Sequence, residues 1–141
     1  MFANEGHKPR NNIPLSIVLV DDELQITDLL ETFLKCISKN LDIYSFNDPE
    51  EARAYLLQNN PDVLITDYKM PKFDGIQLIK LMPSHSTKVL ISGYVSEITE
   101  GQLNELKASF FEKPVPMKDL GRIIQLAQEK KKRSNSREKK G

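Results

Sequence analysis

Asp21, Asp22, Asp67, Ser92 and Lys113 are the residues of this chain whose types and spacing could do chemistry together. Three are carboxylates, which repel when brought close and stay ionised only beside a compensating cation. Mg2+ suits such a set. It is hard, takes oxygen ligands, and is commonly held by one or two carboxylates plus phosphate oxygens. A carboxylate can also be a nucleophile and form an aspartyl phosphate. Phosphoryl transfer then needs chiefly positioning and charge neutralisation. Mg2+, the Lys113 ammonium and the Ser92 hydroxyl would supply these on three sides of the phosphoryl oxygens. His7 and His85 lie in polar stretches without a ligand partner, and Cys36 is the one cysteine. Zinc is therefore disfavoured and an internal disulfide excluded.

Taken singly, these residues carry little. An aspartate after a strand is ordinarily a helix cap, Ser92-Gly93 a turn, and Lys113-Pro114 a surface lysine before a turn. Their weight comes from the elements that must position them. Leu15 to Val20 is a short apolar, β-branched run that reads as a strand buried on both faces, ending in Asp21-Asp22. Ile26, Leu29, Leu30, Phe33, Leu34 and Ile37 then recur at helical spacing. Cys36 falls on that helix, where a buried or half-buried thiol is expected. Leu41 to Phe46 reads as a second strand. Asp48, Pro49 and Glu51 form a helix start with a capping box, leading to Ala52, Tyr55 and Leu56.

Asn59-Asn60-Pro61 breaks that helix, and residues 62–66 form a third strand ending at Asp67. After a loop from Tyr68 to Asp74, a short helix runs from Gly75 to Met82 and stops at Pro83. Thr87 to Ile91 is a fourth strand, ending at Ser92. A weaker helix spans Ser96 to Lys107, interrupted by Gly101, which costs up to about 1 kcal/mol relative to Ala. Ser109 to Glu112 is a fifth strand before Lys113. Met117, Leu120, Ile123, Ile124 and Ala127 mark a last helix.

Five strands alternating with five helices imply an α/β fold, a doubly wound parallel sheet with right-handed crossovers. Ligands in such sheets sit at the carboxyl ends of the strands, beside a switch in strand order. The five candidate residues follow that rule: Asp21 and Asp22 follow the first strand, and Asp67, Ser92 and Lys113 each end or follow one of three others.

The chain at this point resembles the response-regulator receiver family of two-component signalling. The residues that carry the resemblance are Val18-Leu-Val-Asp-Asp-Glu23, Leu64-Ile-Thr-Asp-Tyr-Lys-Met-Pro-Lys-Phe-Asp-Gly75, Leu90-Ile-Ser-Gly-Tyr94 and Phe111-Glu-Lys-Pro114. It covers Leu15 to Lys130. It implies a flavodoxin-like (βα)5 fold of strand order 2-1-3-4-5. It also implies that Asp67 is the phospho-acceptor. Asp22 would be a direct Mg2+ ligand, Asp21 would act through a water, and the Lys69 backbone carbonyl would complete the set. Ser92 matches the hydroxyl that moves toward the phosphoryl group, and Lys113 the lysine that pairs with it. Phe110 matches a switching aromatic, but has no hydroxyl, so its switch must run on packing. Met70, Pro71 and Gly75 match the loop after the acceptor. Lys69 and Tyr94 fall at positions flanking the phosphoryl group, where bulk should hinder the attacking water. The short stretch from Gly75 to Thr87 implies a trimmed third helix.

Such a protein is a switch rather than an enzyme, catalysing only its own phosphorylation and dephosphorylation. Its partners would be a histidine kinase or histidine phosphotransfer protein, a downstream protein target and, in a phosphorylation-linked dimer, a second copy of the chain. Two rival readings are a phosphorylation-independent pseudo-receiver interaction module and an aspartyl-nucleophile phosphohydrolase. The latter typically has a second acid two residues after the nucleophile, where this chain has Lys69.

The chain has 141 residues, 39% apolar and 28% charged, as expected of one soluble globular domain. No apolar run approaches the roughly 18 residues that span a membrane, and residues 1–14 have no apolar signal core. The cytoplasm is the expected compartment. Residues 1–14 are expected to be a flexible segment, 15–130 the receiver, and 131–141 a basic, disordered tail. From residue 129 onward, seven cations face two acids, a net of +5 that leaves −5 on the body. This basic stretch leaves little chain for a folded DNA-binding domain.

Overall fold

Strands buried on both faces need apolar residues in near-continuous runs, and three of the five strands are such runs, flanked by two more exposed strands. In the computed structural model the strands are β1 (Leu15–Val20), β2 (Leu41–Phe46), β3 (Val63–Asp67), β4 (Thr87–Ser92) and β5 (Ser109–Glu112). All pairings are parallel, in the order β2-β1-β3-β4-β5. The helices are α1 (Leu24–Ile37), α2 (Pro49–Gln58), α3 (Gly75–Ile79), α4 (Glu100–Leu106) and α5 (Met117–Lys140). The structure describes residues 13–93 and 98–140, with side chains to residue 134.

Alternation along each strand sends side chains to two cores. Ile17, Leu19, Val63, Ile65, Val89 and Ile91 pack with Leu30 and Leu34 of α1 and Leu120 and Ile124 of α5. Val18, Val20, Leu64 and Leu90 pack with Ala52 and Leu56 of α2 and Ile76, Leu78 and Ile79 of α3. The strand ends therefore cannot slide without moving a whole apolar face.

Several local expectations need correction. Asp48 caps α2 through the Glu50 N–H, one residue short of the box expected with Glu51. The third helix ends at Ile79, ahead of Met82, and the chain then tightens into turns that bury Met82 before Pro83. α4 begins at Glu100, behind a Thr99–Gln102 capping box, so Gly101 lies in its first turn and does not interrupt it. Cys36 is exposed, because the buried stripe of α1 runs through Thr27, Leu30 and Leu34. Beyond these corrections, residues 131–140 continue α5. Lys, Arg and Glu are good helix formers, and Lys131 ties this stretch to Asp62. The expectations for residues 1–12, Tyr94 and Ser96 lie outside the described residues. Among the described residues no helix is long and apolar enough to cross a membrane.

Candidate functional site

β1 hands the chain to α1 through Asp21, Asp22 and Glu23. Asp21 is 2% exposed. Its Oδ1 accepts the Glu23 N–H at 2.9 Å, and its carbonyl accepts the Asn47 side-chain amide at 2.9 Å. The same amide donates to the buried Thr27 hydroxyl, so the end of β2 braces the acidic loop. Asp22 is exposed.

Asp67 ends β3 and is 7% exposed. Its Oδ1 accepts the Tyr68 N–H at 2.9 Å. The loop beyond it folds back, with the Gly75 N–H donating to the Tyr68 carbonyl at 2.8 Å. Only glycine permits that approach: a Cβ at Gly75 would lie 2.3 Å from the Asp67 carbonyl oxygen and 2.7 Å from a Leu90 methyl.

One oxygen from each of Asp21, Asp22 and Asp67 falls within 4.8 Å of the others. Lys113 closes the cluster. Its Nζ stands 3.3 Å from Asp21 Oδ2, 3.3 Å from Asp67 Oδ1 and 3.9 Å from Glu23 Oε1. Its backbone N–H donates to the Ser92 carbonyl at 3.0 Å, which registers the end of β5 against that of β4. The Lys113–Pro114 peptide is cis.

Burial pushes the Asp67 carboxyl up to about 6, with the Asp21 charge adding to the rise against the pull of Lys113 and the Tyr68 N–H. Asp21 is also raised, by burial first and also by Asp22, against the Glu23 N–H and Lys113. Burial draws Lys113 down, but Asp67 and Asp21 together outweigh it and leave its pKa raised. Setting aside solvent-facing Glu23, three carboxylates meet one ammonium, a net of −2. Oxygen-only donors around such a deficit of positive charge fit a hard divalent cation. The acidic triad could hold a metal ion.

Ser92 is fully buried at the end of β4, paired with Glu112. Phe110 pairs with Leu90 and packs half-buried against the α2–α3 core. Lys69 is exposed in the loop after Asp67. The structure thus joins Asp21, Asp22, Asp67 and Lys113, and sets Ser92 on the adjoining strand end. The sequence reading missed Glu23 and the brace from Asn47. Glu23 was legible as the residue after the acid pair. Asn47 had no local signal, since it reaches Asp21 only through the pairing of β1 with β2.

Residues 17–125 match the response regulator receiver domain family. The chain belongs to that family. The receiver is a signalling module. It is 28% identical over 128 residues to the cyclic di-GMP phosphodiesterase response regulator RpfG of Xanthomonas campestris pv. campestris, covering 84% of this chain and 34% of that protein. It is 29% identical over 117 residues to the regulatory protein AtoC of Escherichia coli, covering 79% of this chain and 24% of that protein. The chain spans about a third or less of the length of these relatives. A CheY-like receiver from Methanospirillum hungatei superposes with a TM-score of 0.70 at 21% identity, covering 86% of this chain and 98% of that one. A receiver from Clostridium thermocellum superposes with a TM-score of 0.66 at 25% identity, covering 83% and 96%. The first of these likenesses speaks to the fold alone.

Proposed function

We propose that this receiver accepts a phosphoryl group on Asp67 from a histidine kinase or histidine phosphotransfer protein, and thereby switches a protein-binding surface in the cytoplasm. One observation carries the reading: a nearly buried carboxylate lies 3.3 Å from Lys113 and within 4.8 Å of two further acids. Asp22 and Asp67 would hold Mg2+ directly, Asp21 through a water, with the Lys69 carbonyl completing the set. The bound ion supplies charge neutralisation on the phosphoryl oxygens.

An Asp67 carboxylate oxygen forms the O–P bond as the donor's N–P bond breaks, and the imidazole leaves. Lys113 moves its ion pair from the carboxylate to a phosphoryl oxygen. The Ser92 hydroxyl donates to another. Phe110, lacking a hydroxyl, follows Ser92 by packing. α4 has no fully buried residue, so displacing it costs little. The face of α4, β5 and α5 is the output surface, for a downstream protein or a second phosphorylated copy. Lys69, in the loop after Asp67, obstructs the attacking water and prolongs the acyl phosphate.

Incubation with acetyl phosphate and Mg2+ tests the assignment. One phosphoryl mass should be gained by the protein and not by Asp67→Asn. A gain that persists in Asp67→Asn sinks the site assignment. No gain in a folded wild type favours a phosphorylation-independent interaction module.

A further inference from the structure

The last turns of α5 run past the apolar core and overhang the amino-terminal edge of the sheet, opposite the end that carries Asp21, Asp67 and Ser92. Beneath the overhang lies a cavity of about 290 Å³. Ala127, Lys130, Lys131 and Ser134 line it from one helix face, at successive helical spacings. Asp62 and Thr87 line it where β3 and β4 begin.

Asp62 is the one carboxylate among the described residues of the lining, and it is already engaged. It accepts the Ser16 N–H at 2.9 Å, the Ser16 hydroxyl at 3.1 Å and the Lys131 ammonium at 2.6 Å. Lys131 also donates to the Pro14 carbonyl. Lys130 is exposed, and among the described residues its hydrogen bond goes to the His85 carbonyl. An ammonium has three donors, so Lys130 keeps capacity for a ligand.

The surroundings add positive charge. Lys88 is 4% exposed and donates to the Ser84 carbonyl at 3.0 Å. Burial lowers its pKa first, and the charges of Lys107 and Lys130 lower it further. Lys88, Lys107 and Lys130 therefore lie close enough to repel, while the one carboxylate among the described residues of the lining, Asp62, is spent on Lys131. An entering anion would relieve that repulsion.

We propose that this cavity binds a small phosphate-bearing ligand, with Lys130 meeting the phosphate and the hydroxyls of Thr87 and Ser134 beside it. A point-charge ammonium among hydroxyls suits a multi-oxygen anion. The volume stands near the lower end for small-molecule pockets, which selects a compact ligand over a polymer. The inference is independent of Asp67 phosphorylation, because the two sites occupy opposite ends of the strands.

Pyrophosphate titrated into the 15N-labelled full chain tests it, in EDTA and at constant ionic strength set with chloride. Saturable amide shifts centred on Thr87, Lys130 and Lys131 are expected. Lys130→Ala should weaken binding about tenfold or more, since a charge-assisted hydrogen bond is lost. Lys130→Arg, which keeps the charge, should bind within a few-fold of wild type. Unchanged affinity in a folded Lys130→Ala would overturn the proposal. So would shifts spread evenly over surface lysines, or none beyond the chloride control.

Discussion

Asp67 is ionised at neutral pH against its surroundings. Its carboxyl is pushed up to about 6 by burial and by Asp21, while an unfolded chain leaves it near 3.8. The folded state thus holds the proton more tightly than the unfolded one. The stability this contributes is present below about pH 4 and is lost as pH rises through about 6. At pH 7 the metal-free protein bears a cost on the order of 3 kcal/mol. Asp67→Asn should therefore raise the urea midpoint in EDTA at pH 7, and the advantage should shrink toward pH 4. Mg2+ should stabilise wild type more than the variant. A less stable Asp67→Asn at pH 7 would show that the carboxylate is not held under strain.

The loop after β3 and the end of α4 each depend on backbone that most side chains resist. At Gly75, any Cβ meets the Asp67 carbonyl and Leu90. Gly75→Ala should cost about 1–3 kcal/mol by overpacking in urea unfolding. It should also slow phosphoryl uptake, because the displaced atom belongs to the acceptor's own residue. Lys107 ends α4 in the left-handed region, with φ 54°. A non-glycine residue there costs about 1 kcal/mol, and Lys107→Gly also removes a charge that lowers Lys88. That substitution should stabilise the protein by about 0.5–1 kcal/mol, read from the urea midpoint at unchanged slope. Lys107→Val should do the opposite.

Across the molecule, α5 joins the two ends of the sheet. Its 24 residues reach about 36 Å at 1.5 Å per residue, well beyond the last buried position at Ala127. With no apolar residue after Ala127 in this helix, polar contacts must hold the rest. Lys131 supplies one to Asp62 at 2.6 Å and one to the Pro14 carbonyl at 2.9 Å, and Gln128 bonds the Ser38 hydroxyl at the end of α1. Lys131→Ala should cost no more than about 1 kcal/mol globally, as for a partly exposed ion pair. Amide hydrogen exchange from 128 to 134 should speed up far more than in α1. Equal exchange in both proteins would mean that helix propensity alone holds the overhang.

Much of this architecture was readable before any coordinate, because strands and helices announce themselves in short windows. Leu15–Val20 and Thr87–Ser92 are β-branched runs, α1 keeps a helical apolar stripe, and alternation of the two implies strand ends that converge. Asp21, Asp67, Ser92 and Lys113 stand out by following such runs. Other features have no local signature. The Lys113 contact with Asp21 bridges 92 positions, and the brace from Asn47 to the Asp21 carbonyl bridges 26. The raised Asp67 carboxyl, the exposure of Cys36 and the anchoring of Lys131 likewise arise only when distant segments meet. Periodicity is a property of neighbouring residues, whereas burial and charge proximity belong to the assembled chain.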